Sequence, residues 1–482
     1  MIFNSVTYFL LLLVVVPMYW ALPYRPRLVL IFIASLIFYG FWRVDFIPLI
    51  LSSVLVDYFA ALKIYNSNQR NKKRYLILSL IFNLGLLFYF KYIIFFSENA
   101  IGFANLLGLE VDPLMLNIIL PIGISFYTFQ TISYTVDVYR GYITPEKNFI
   151  LYSCYVTFFP QLIAGPVLRF SEVAPQFIKR SIFKWSDVAI GFKRIIYGLF
   201  LKVVLADNIA PMVDAGFDMP IEMLSAIDIW TLAFLFGFQI YFDFSAYSHI
   251  AIGSARLMGI CFPENFNFPY ISKSPKEFWK RWHISLSSWI RDYLYLPLAK
   301  IRAHDRSIGG LSNATMDSAK NKALFLTWSI MGLWHGASWT FVLWGIFHSL
   351  IIFVYRLIDP LITTFKTNTR ALVGVFITLP IIMFSWIPFR ANTVDIALEM
   401  WIKMLNPFAY NSLNMRENVY LIAALVMVSV FLAFLMHQKL APYLIKNYPK
   451  LFFLVEVVVF AIATPLVLIF LQSTNQFIYF QF

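Results

Sequence analysis

The sequence is poor in charge and in cysteine. Only 13% of its 482 residues are Asp, Glu, Lys or Arg, whereas 60% are hydrophobic. Soluble proteins carry about a quarter charged residues, so this composition excludes a soluble globular protein and predicts an all-α polytopic integral membrane protein. Two cysteines, Cys154 and Cys261, are too few for a disulfide framework or a metal cluster, and no metal is expected.

Linkers, low-complexity segments and internal repeats are also lacking. Apolar runs recur along the whole chain, so residues 1–482 are predicted to form a single membrane domain with no separate soluble domain. There is no basic leader or small-residue cleavage site, and residues 3–20 are expected to be a retained first span. A transporter or flippase remains an alternative, but such folds often show paired repeats with interrupted helices in both halves.

Acidic residues are scarce relative to basic ones, and the formal net charge is +13. Basic residues accumulate on cytoplasmic loops of membrane proteins, so this excess does not require a nucleic acid partner. The loop 63–74 has five basic residues and no acid and is predicted to be cytoplasmic, whereas 97–115 has only acids and should face outward. The C-terminus, 478–482, is also expected outside. About ten crossings follow, near residues 3–20, 28–42, 46–62, 75–96, 116–138, 195–210, 224–244, 371–389, 418–436 and 451–471.

Two further apolar segments do not fit a simple crossing. Residues 149–168 have basic residues on both sides and contain Pro160, Gly165 and Pro166, which predicts a re-entrant segment. Residues 323–355 would form a helix of about 50 Å, longer than a bilayer core of about 30 Å. Loop charges predict that this run enters and leaves on the cytoplasmic side, bent near His335. Irregular backbone at membrane depth must be buried or line a wet cavity, so a cavity is implied.

His335 is the main candidate for chemistry. His335 and His348 are the only ionisable residues between 323 and 355, and an ionisable group at membrane depth is by default functional. On a continuous helix Gly332, Gly336 and Trp339 would share its face, and the two glycines would leave an open notch beside the ring. The alternative is an interior histidine in a glycine-rich packing seam.

A second informative stretch covers residues 274–297. Ser274 followed by Pro275 and Glu277 predicts a capped helix start, and the helix should continue for about 22 residues to Pro297. Its tryptophans and cations suit a membrane surface, so an anchor that binds anionic lipid headgroups is one interpretation. That interpretation leaves His283, on the apolar face, unexplained. We expect the buried His283 and His335 to meet in the fold.

These residues resemble a known family. The stretch Lys276-Glu-Phe-Trp-Lys-Arg-Trp-His283-Ile-Ser-Leu-Ser-Ser-Trp-Ile-Arg-Asp-Tyr-Leu-Tyr-Leu-Pro297 and the later Gly332-Leu-Trp-His335-Gly-Ala-Ser-Trp are similar to the signature of the membrane-bound O-acyltransferases. The bacterial subgroup of alginate O-acetyltransferase, with relatives for peptidoglycan and cellulose acetylation, is the best match. Residues 160–166 and 477–482 resemble that subgroup as well.

The resemblance implies a ring of about 10–12 transmembrane helices, with re-entrant segments, around a thinned centre in a bacterial inner membrane. It implies that His335 is catalytic and that His283 assists. An acetyl group from a cytoplasmic thioester, with acetyl-CoA as a substrate rather than a resident cofactor, would pass to a periplasmic or extracellular O-acetyltransferase partner. An exported or cell-envelope polysaccharide would be the final acceptor. D-alanyl transfer to teichoic acid, the activity of a sibling group, is an alternative.

The chemistry of such a transfer assigns roles to residues. A hydroxyl attacks a thioester well only when a base takes its proton, and a desolvated neutral imidazole suits this task, so His335 is the predicted base. His283 would orient the substrate or stabilise the oxyanion. Lys276, Lys280, Arg281 and Arg291 are at the right depth for coenzyme A phosphates. The predicted substrate and donor site is completed by Trp334, Ser338, Trp339 and Asp292.

Overall fold

The computed structural model describes residues 2–112, 116–163, 165–179, 182–301, 318–362, 367–471 and 477. Regular structure within these residues is helical and includes no strand, which confirms the all-α prediction. The chain divides into two compact units, Met1–Ile195 with Tyr247–Glu264, and Ile196–Ala246 with Asn265–Phe482. The single membrane domain stays a prediction, and the C-terminal residues 478–482 lie outside the described part.

The first unit is built from short and long helices around a core of aromatic and aliphatic side chains that includes Tyr39, Ile50 and Tyr127. A π-helical turn, Phe88–Tyr92, joins its fourth and fifth helices. The helices are α1 Val6–Ala21, α2 Tyr24–Gly40, α3 Ile47–Tyr65, α4 Gln69–Leu87, α5 Ile93–Leu106, α6 Ile124–Arg140, α7 Phe149–Thr157, α8 Phe159–Leu162 and α9 Phe170–Ile178.

The second unit contains the two segments that carry the candidate histidines, His283 and His335. Leu232, Ile387 and Met400 belong to one of its apolar clusters. Two of the following helices, α10 and α12, have residues in both units. The helices are α10 Trp185–Leu199, α11 Asp207–Phe217, α12 Ala226–Leu257, α13 Pro275–Arg281, α14 Ile284–Ile290, α15 Leu296–Leu298, α16 Ser318–His335, α17 Trp339–Ile362, α18 Thr367–Arg390, α19 Val394–Leu405, α20 Glu417–Leu435, α21 Ala441–Asn447 and α22 Pro449–Phe470.

Seven helical stretches of the described residues are long and apolar enough to cross a membrane, and α1 is a shorter apolar helix. The seven are Val44–Tyr65, Gln69–Leu106, Ala226–Leu257, Trp339–Pro360, Ala371–Arg390, Glu417–Asn447 and Pro449–Phe470. This confirms a multi-pass membrane protein, while the total of about ten crossings, the ring and its thinned centre stay predictions. The expected span 116–138 is helical only from Ile124, because Gly123 has a left-handed φ of 77° that starts the helix there.

The segment 149–168 has the irregular, buried backbone that the sequence predicts. Helix α7 ends at Thr157, the chain turns at Phe158, and α8 is a single turn. All residues from 151 to 163 are buried. With nine residues, α7 is only about 14 Å long and cannot cross a bilayer. The return of this segment to the same side of the membrane stays a prediction.

Candidate functional site

His335 lies at the turn of a helical hairpin. It is the last residue of α16, and α17 begins at Trp339 after a three-residue break. The side chain of Ser338 accepts a hydrogen bond from the backbone N–H of Thr340 at 3.3 Å and so caps the start of α17. The predicted bend at the histidine is confirmed. Because α17 alone is long enough to span a bilayer, the predicted re-entrant path is left as a prediction.

Glycines allow the two helices of the hairpin to pack closely. A Cβ atom on Gly332 would lie 2.2 Å from the carbonyl oxygen of Phe341, and one on Gly345 would lie 2.2 Å from that of Trp328. Gly336 faces the ring of Phe341, which a Cβ would approach to 2.2 Å. The predicted open notch is therefore wrong, because Phe341 of α17 fills it. The glycine-rich packing seam is present, with His335 at its end.

The helix break also separates His335 from Trp339. The predicted shared helix face is therefore wrong, because α16 ends at His335, and Trp339 belongs to α17 and is 56% exposed. His335 itself is 5% exposed. Aromatic rings surround it, with ring centroids of Trp334 and Trp344 at 5.0 Å and that of Phe389 at 5.3 Å. The residue is therefore almost completely buried, and its Nε2 atom is buried as well.

His283 interrupts the helix predicted over 275–297. It has a left-handed φ of 41° and separates α13 from α14, so the single 22-residue helix is wrong. The predicted cap is correct, since Ser274 accepts from the N–H of Glu277 at 3.1 Å. A left-handed conformation is unfavourable for a residue with a Cβ and costs about 1–3 kcal/mol, so the surrounding structure must hold it.

Asn265 provides that support. Its side-chain oxygen accepts from the N–H and the hydroxyl of Ser285, at 3.3 and 2.8 Å, and lies 3.2 Å from Nδ1 of His283. Because this oxygen can only accept, Nδ1 carries the proton and Nε2 has the lone pair. Burial lowers the pKa of His283 from its ordinary 6.5 to about 3, so the ring is neutral at physiological pH. Within the described chain Nε2 has no hydrogen-bond partner.

Aromatic side chains connect the surroundings of the two predicted histidines. His283 packs edge-on against Phe244, with ring centroids 4.6 Å apart. Its neighbour Trp282 contacts Trp386 at 5.1 Å, Trp386 contacts Phe389 at 5.3 Å, and Phe389 contacts His335. Both histidines therefore border one aromatic cluster, although a direct approach of the two rings stays a prediction.

His348 is part of this cluster, and the sequence argument assigned it no role. It is fully buried, and Trp344 lies against both histidines, 5.0 Å from His335 and 4.6 Å from His348. The indole N–H of Trp279 donates to Nδ1 of His348 at 3.4 Å. The i, i+4 spacing of Trp344 and His348 within an apolar helix was the available sequence signal. In the described residues the indole nitrogen of Trp344 is buried and has no acceptor.

Three of the four predicted phosphate-binding cations share one cavity. It has a volume of about 540 Å³ and is lined by Ser274, Lys276, Glu277, Lys280, Arg281, Tyr355 and Asp359. Arg281 pairs with Glu277 at 2.9 Å, and the two lysines are exposed. Arg291 is not in this lining. Its guanidinium donates hydrogen bonds of 2.8 and 3.2 Å to the carboxylate of Asp292. Asp292 is buried, so the polar helix face that was predicted to present it is partly packed into the protein.

Comparisons with known proteins identify the family of this chain. A model of the membrane-bound O-acyltransferase family matches residues 142–389, a range that includes His283 and His335. The "Probable alginate O-acetylase AlgI" of Azotobacter vinelandii is 38% identical over 90% of this chain and 84% of its own length. The peptidoglycan O-acetyltransferase of Helicobacter pylori is 37% identical over 78% and 73%. The teichoic acid D-alanyltransferase of Streptococcus thermophilus is 27% identical over 63% and 77%. The chain belongs to the membrane-bound O-acyltransferase family and is a multi-pass membrane O-acyltransferase.

Proposed function

We propose that this protein is a membrane O-acetyltransferase of the alginate and peptidoglycan type, located in a bacterial inner membrane. It takes an acetyl group from a cytoplasmic thioester, acetyl-CoA, and transfers it to a hydroxyl that serves O-acetylation of a cell-envelope or exported polysaccharide through a partner on the outer face. The observation that carries the proposal is the position of His335 at the hairpin turn, 5% exposed and surrounded by aromatic rings, within the segment that matches the family.

His335 acts as the general base. The hydroxyl oxygen forms a bond to the acetyl carbon while the imidazole removes the hydroxyl proton, and the carbon–sulfur bond breaks. The imidazolium then returns this proton to the thiolate, so the base is regenerated and the products are an ester and a thiol. General base catalysis of this kind contributes about 10²–10⁴-fold in rate.

The hydrogen-bond geometry divides the remaining tasks. His283 presents the lone pair of Nε2, so it accepts a hydrogen bond from the hydroxyl that receives the acetyl group and orients that hydroxyl. Stabilising an oxyanion would instead require an N–H at Nε2. The buried indole N–H of Trp344 is a donor next to His335. We assign it to the thioester oxygen, whose negative charge grows in the transition state.

The donor is held by the cavity lined by Lys276, Lys280 and Arg281. The two exposed ammonium groups suit the phosphates of coenzyme A, and the guanidinium of Arg281, although paired with Glu277, adds a third positive charge to a cavity that also contains the carboxylate of Asp359. Trp279, on the same helix as these cations, contacts Trp344 at 5.8 Å, and Trp344 contacts His335. The cationic cavity and the predicted base are thus linked through two tryptophans.

A substrate comparison tests the proposal. Purified protein in lipid would be given radiolabelled acetyl-CoA or a D-alanyl thioester, with alginate and peptidoglycan oligosaccharides as acceptors, together with an extract of the outer-face proteins. We expect labelled O-acetyl esters and free thiol from acetyl-CoA only. If only the D-alanyl thioester gives product, the protein is a D-alanyltransferase, like the relative that is named for teichoic acid. Thioester that stays intact with every acceptor would contradict the proposed transfer.

A further inference from the structure

A buried polar cluster in the first unit lies outside the predicted acyl-transfer site. Three helices each supply two oxygen-bearing side chains spaced by four residues, so each pair lies on one helix face. All six side chains are at most 1% exposed. They are Ser53 and Asp57 of α3, Ser79 and Asn83 of α4, and Thr131 and Thr135 of α6.

The carboxyl group of Asp57 is the only acid of this cluster. It lies eight residues before the end of the span Val44–Tyr65, which corresponds to about 12 Å of helix. Its hydrogen-bond donors in the described chain are neutral: the hydroxyls of Ser79 and Thr131, and the side-chain amide of Asn83 at 2.7 Å. An ionised carboxylate buried at this depth costs several kcal/mol, and ionisable groups in spans usually mark a functional site.

Among the described residues of the surrounding helices, no cation interacts with Asp57 to balance this charge. In the described part of the chain, the ionisable side chains that interact electrostatically with Asp57 are the phenols of Tyr134 on α6 and Tyr152 on α7. On α3 itself, the hydroxyl of Tyr58 donates to the carbonyl of Lys147 at 2.6 Å. Among the described residues of α4, the partners of Asp57 are the hydroxyl of Ser79 and the side-chain amide of Asn83. Within the described residues, the environment of Asp57 is therefore polar but uncharged.

When Asp57 is protonated, every hydroxyl hydrogen along one path of the cluster can be directed at an acceptor. The O–H of Asp57 then donates to Ser79, the Ser79 hydroxyl donates to Oγ1 of Thr135 at 3.4 Å, and Thr135 donates to the carbonyl of Thr131 at 2.8 Å. The other carboxyl oxygen still accepts from Asn83. Every hydroxyl along this path has an acceptor, and no heavy atom has to move.

A bound metal cation fits less well. The side-chain oxygens contact each other directly, with Ser53 donating to Oδ1 of Asn83 at 2.6 Å and Thr131 donating to the same atom at 3.3 Å. An ion placed among these groups would have to separate hydrogen-bonded partners, whereas a proton needs no additional space.

We propose that Asp57 is a proton-binding site within the membrane. Its carboxyl holds a proton at neutral pH and donates it to Ser79 in a hydrogen bond, and this proton holds α3, α4 and α6 in their packed arrangement. Loss of the proton at alkaline pH leaves a buried carboxylate without a counter-ion and loosens the three helices.

Infrared difference spectroscopy on the full-length protein in lipid tests this proposal. We expect a protonated-carboxyl C=O band at neutral pH that is lost in Asp57→Asn, while Tyr152→Phe keeps it. Asp57→Asn reproduces the hydrogen bonds of the protonated acid, because its amide can donate to Ser79 and accept from Asn83. Its melting temperature should therefore stay constant between pH 7 and 9, whereas that of the wild type falls with rising pH.

Three results would overturn the proposal. The first is a neutral-pH spectrum without any carboxyl band that depends on Asp57, which would mean that the acid is ionised. The second is a band that disappears on adding sodium at constant pH, which would assign a metal cation to the site. If Asp57→Asn does not fold, Ser79→Ala decides: the hydrogen bond predicts a shifted band, and an unshifted band contradicts it.

Discussion

The close packing of the hairpin makes Gly332→Ala a sharp test of how the fold positions His335. The new Cβ would lie 2.2 Å from the carbonyl oxygen of Phe341, and an ordinary contact begins at 3.4 Å. The difference, 3.4 − 2.2 = 1.2 Å, has to be absorbed by moving α16 away from α17, because the contact is to backbone and no side chain can rotate away. His335 lies three residues further along the same helix and would move with it.

The expected effect is larger on catalysis than on stability. Overpacking of this kind costs about 1–3 kcal/mol of folding free energy, whereas a displacement of about 1 Å at a reacting group can reduce the rate about 100-fold. The assay is kcat for thiol release from acetyl-CoA, together with thermal unfolding in lipid. Gly85→Ala is the matched control, because no atom lies within 4 Å of its Cβ and a helical alanine is favoured by about 0.5–1 kcal/mol. Wild-type kcat in Gly332→Ala would refute the reasoning.

Three other changes probe the site. Lys280→Ala should raise the KM for acetyl-CoA about tenfold at constant kcat, because a lost charged contact costs about 1.5 kcal/mol. Arg291→Ala changes a residue outside the cavity and should leave this KM unchanged. Equal effects of the two substitutions on KM would contradict the assignment of the cavity to the donor. Trp344→Phe keeps a ring but removes the indole donor, so kcat should fall about 10²–10³-fold, and a kcat within threefold of wild type would exclude the oxyanion role. Because burial lowers the pKa of His283 to about 3, the unfolded chain takes up the proton more readily below pH 6.5. The His283 contribution to the loss of stability with falling pH should be up to about 1.4 kcal/mol per pH unit between 6.5 and 3, so in thermal unfolding the pH dependence of His283→Gln should be weaker by that amount. A pH profile identical to that of the wild type would show that the ring is not buried and neutral.

Features that depend on length and local chemistry could be predicted from the sequence. The run 323–355 is too long for one crossing, so a bend had to occur, and it lies directly after His335. Ser274 caps α13 as its local pattern indicates. The multi-pass membrane class followed from composition alone.

Features that depend on distant contacts could not be predicted. His283 breaks its helix because Asn265, 18 residues earlier, holds the left-handed turn, and no local pattern shows that pairing. The notch beside His335 is filled because the bend folds Phe341 back onto Gly336, whereas the face argument assumed that the helix continued. Asp57 occurs in a span that is apolar on average, and its polar partners come from two other helices.

Acetyl transfer by His335→Ala is the most direct test of the proposed mechanism. The variant would be compared with His437→Ala, which removes an exposed histidine of the same chain, at equal folded protein and with radiolabelled acetyl-CoA. If His335 is the general base, ester formation falls at least 100-fold in His335→Ala and stays at the wild-type rate in His437→Ala. Ester formation at the wild-type rate in folded His335→Ala would contradict the account.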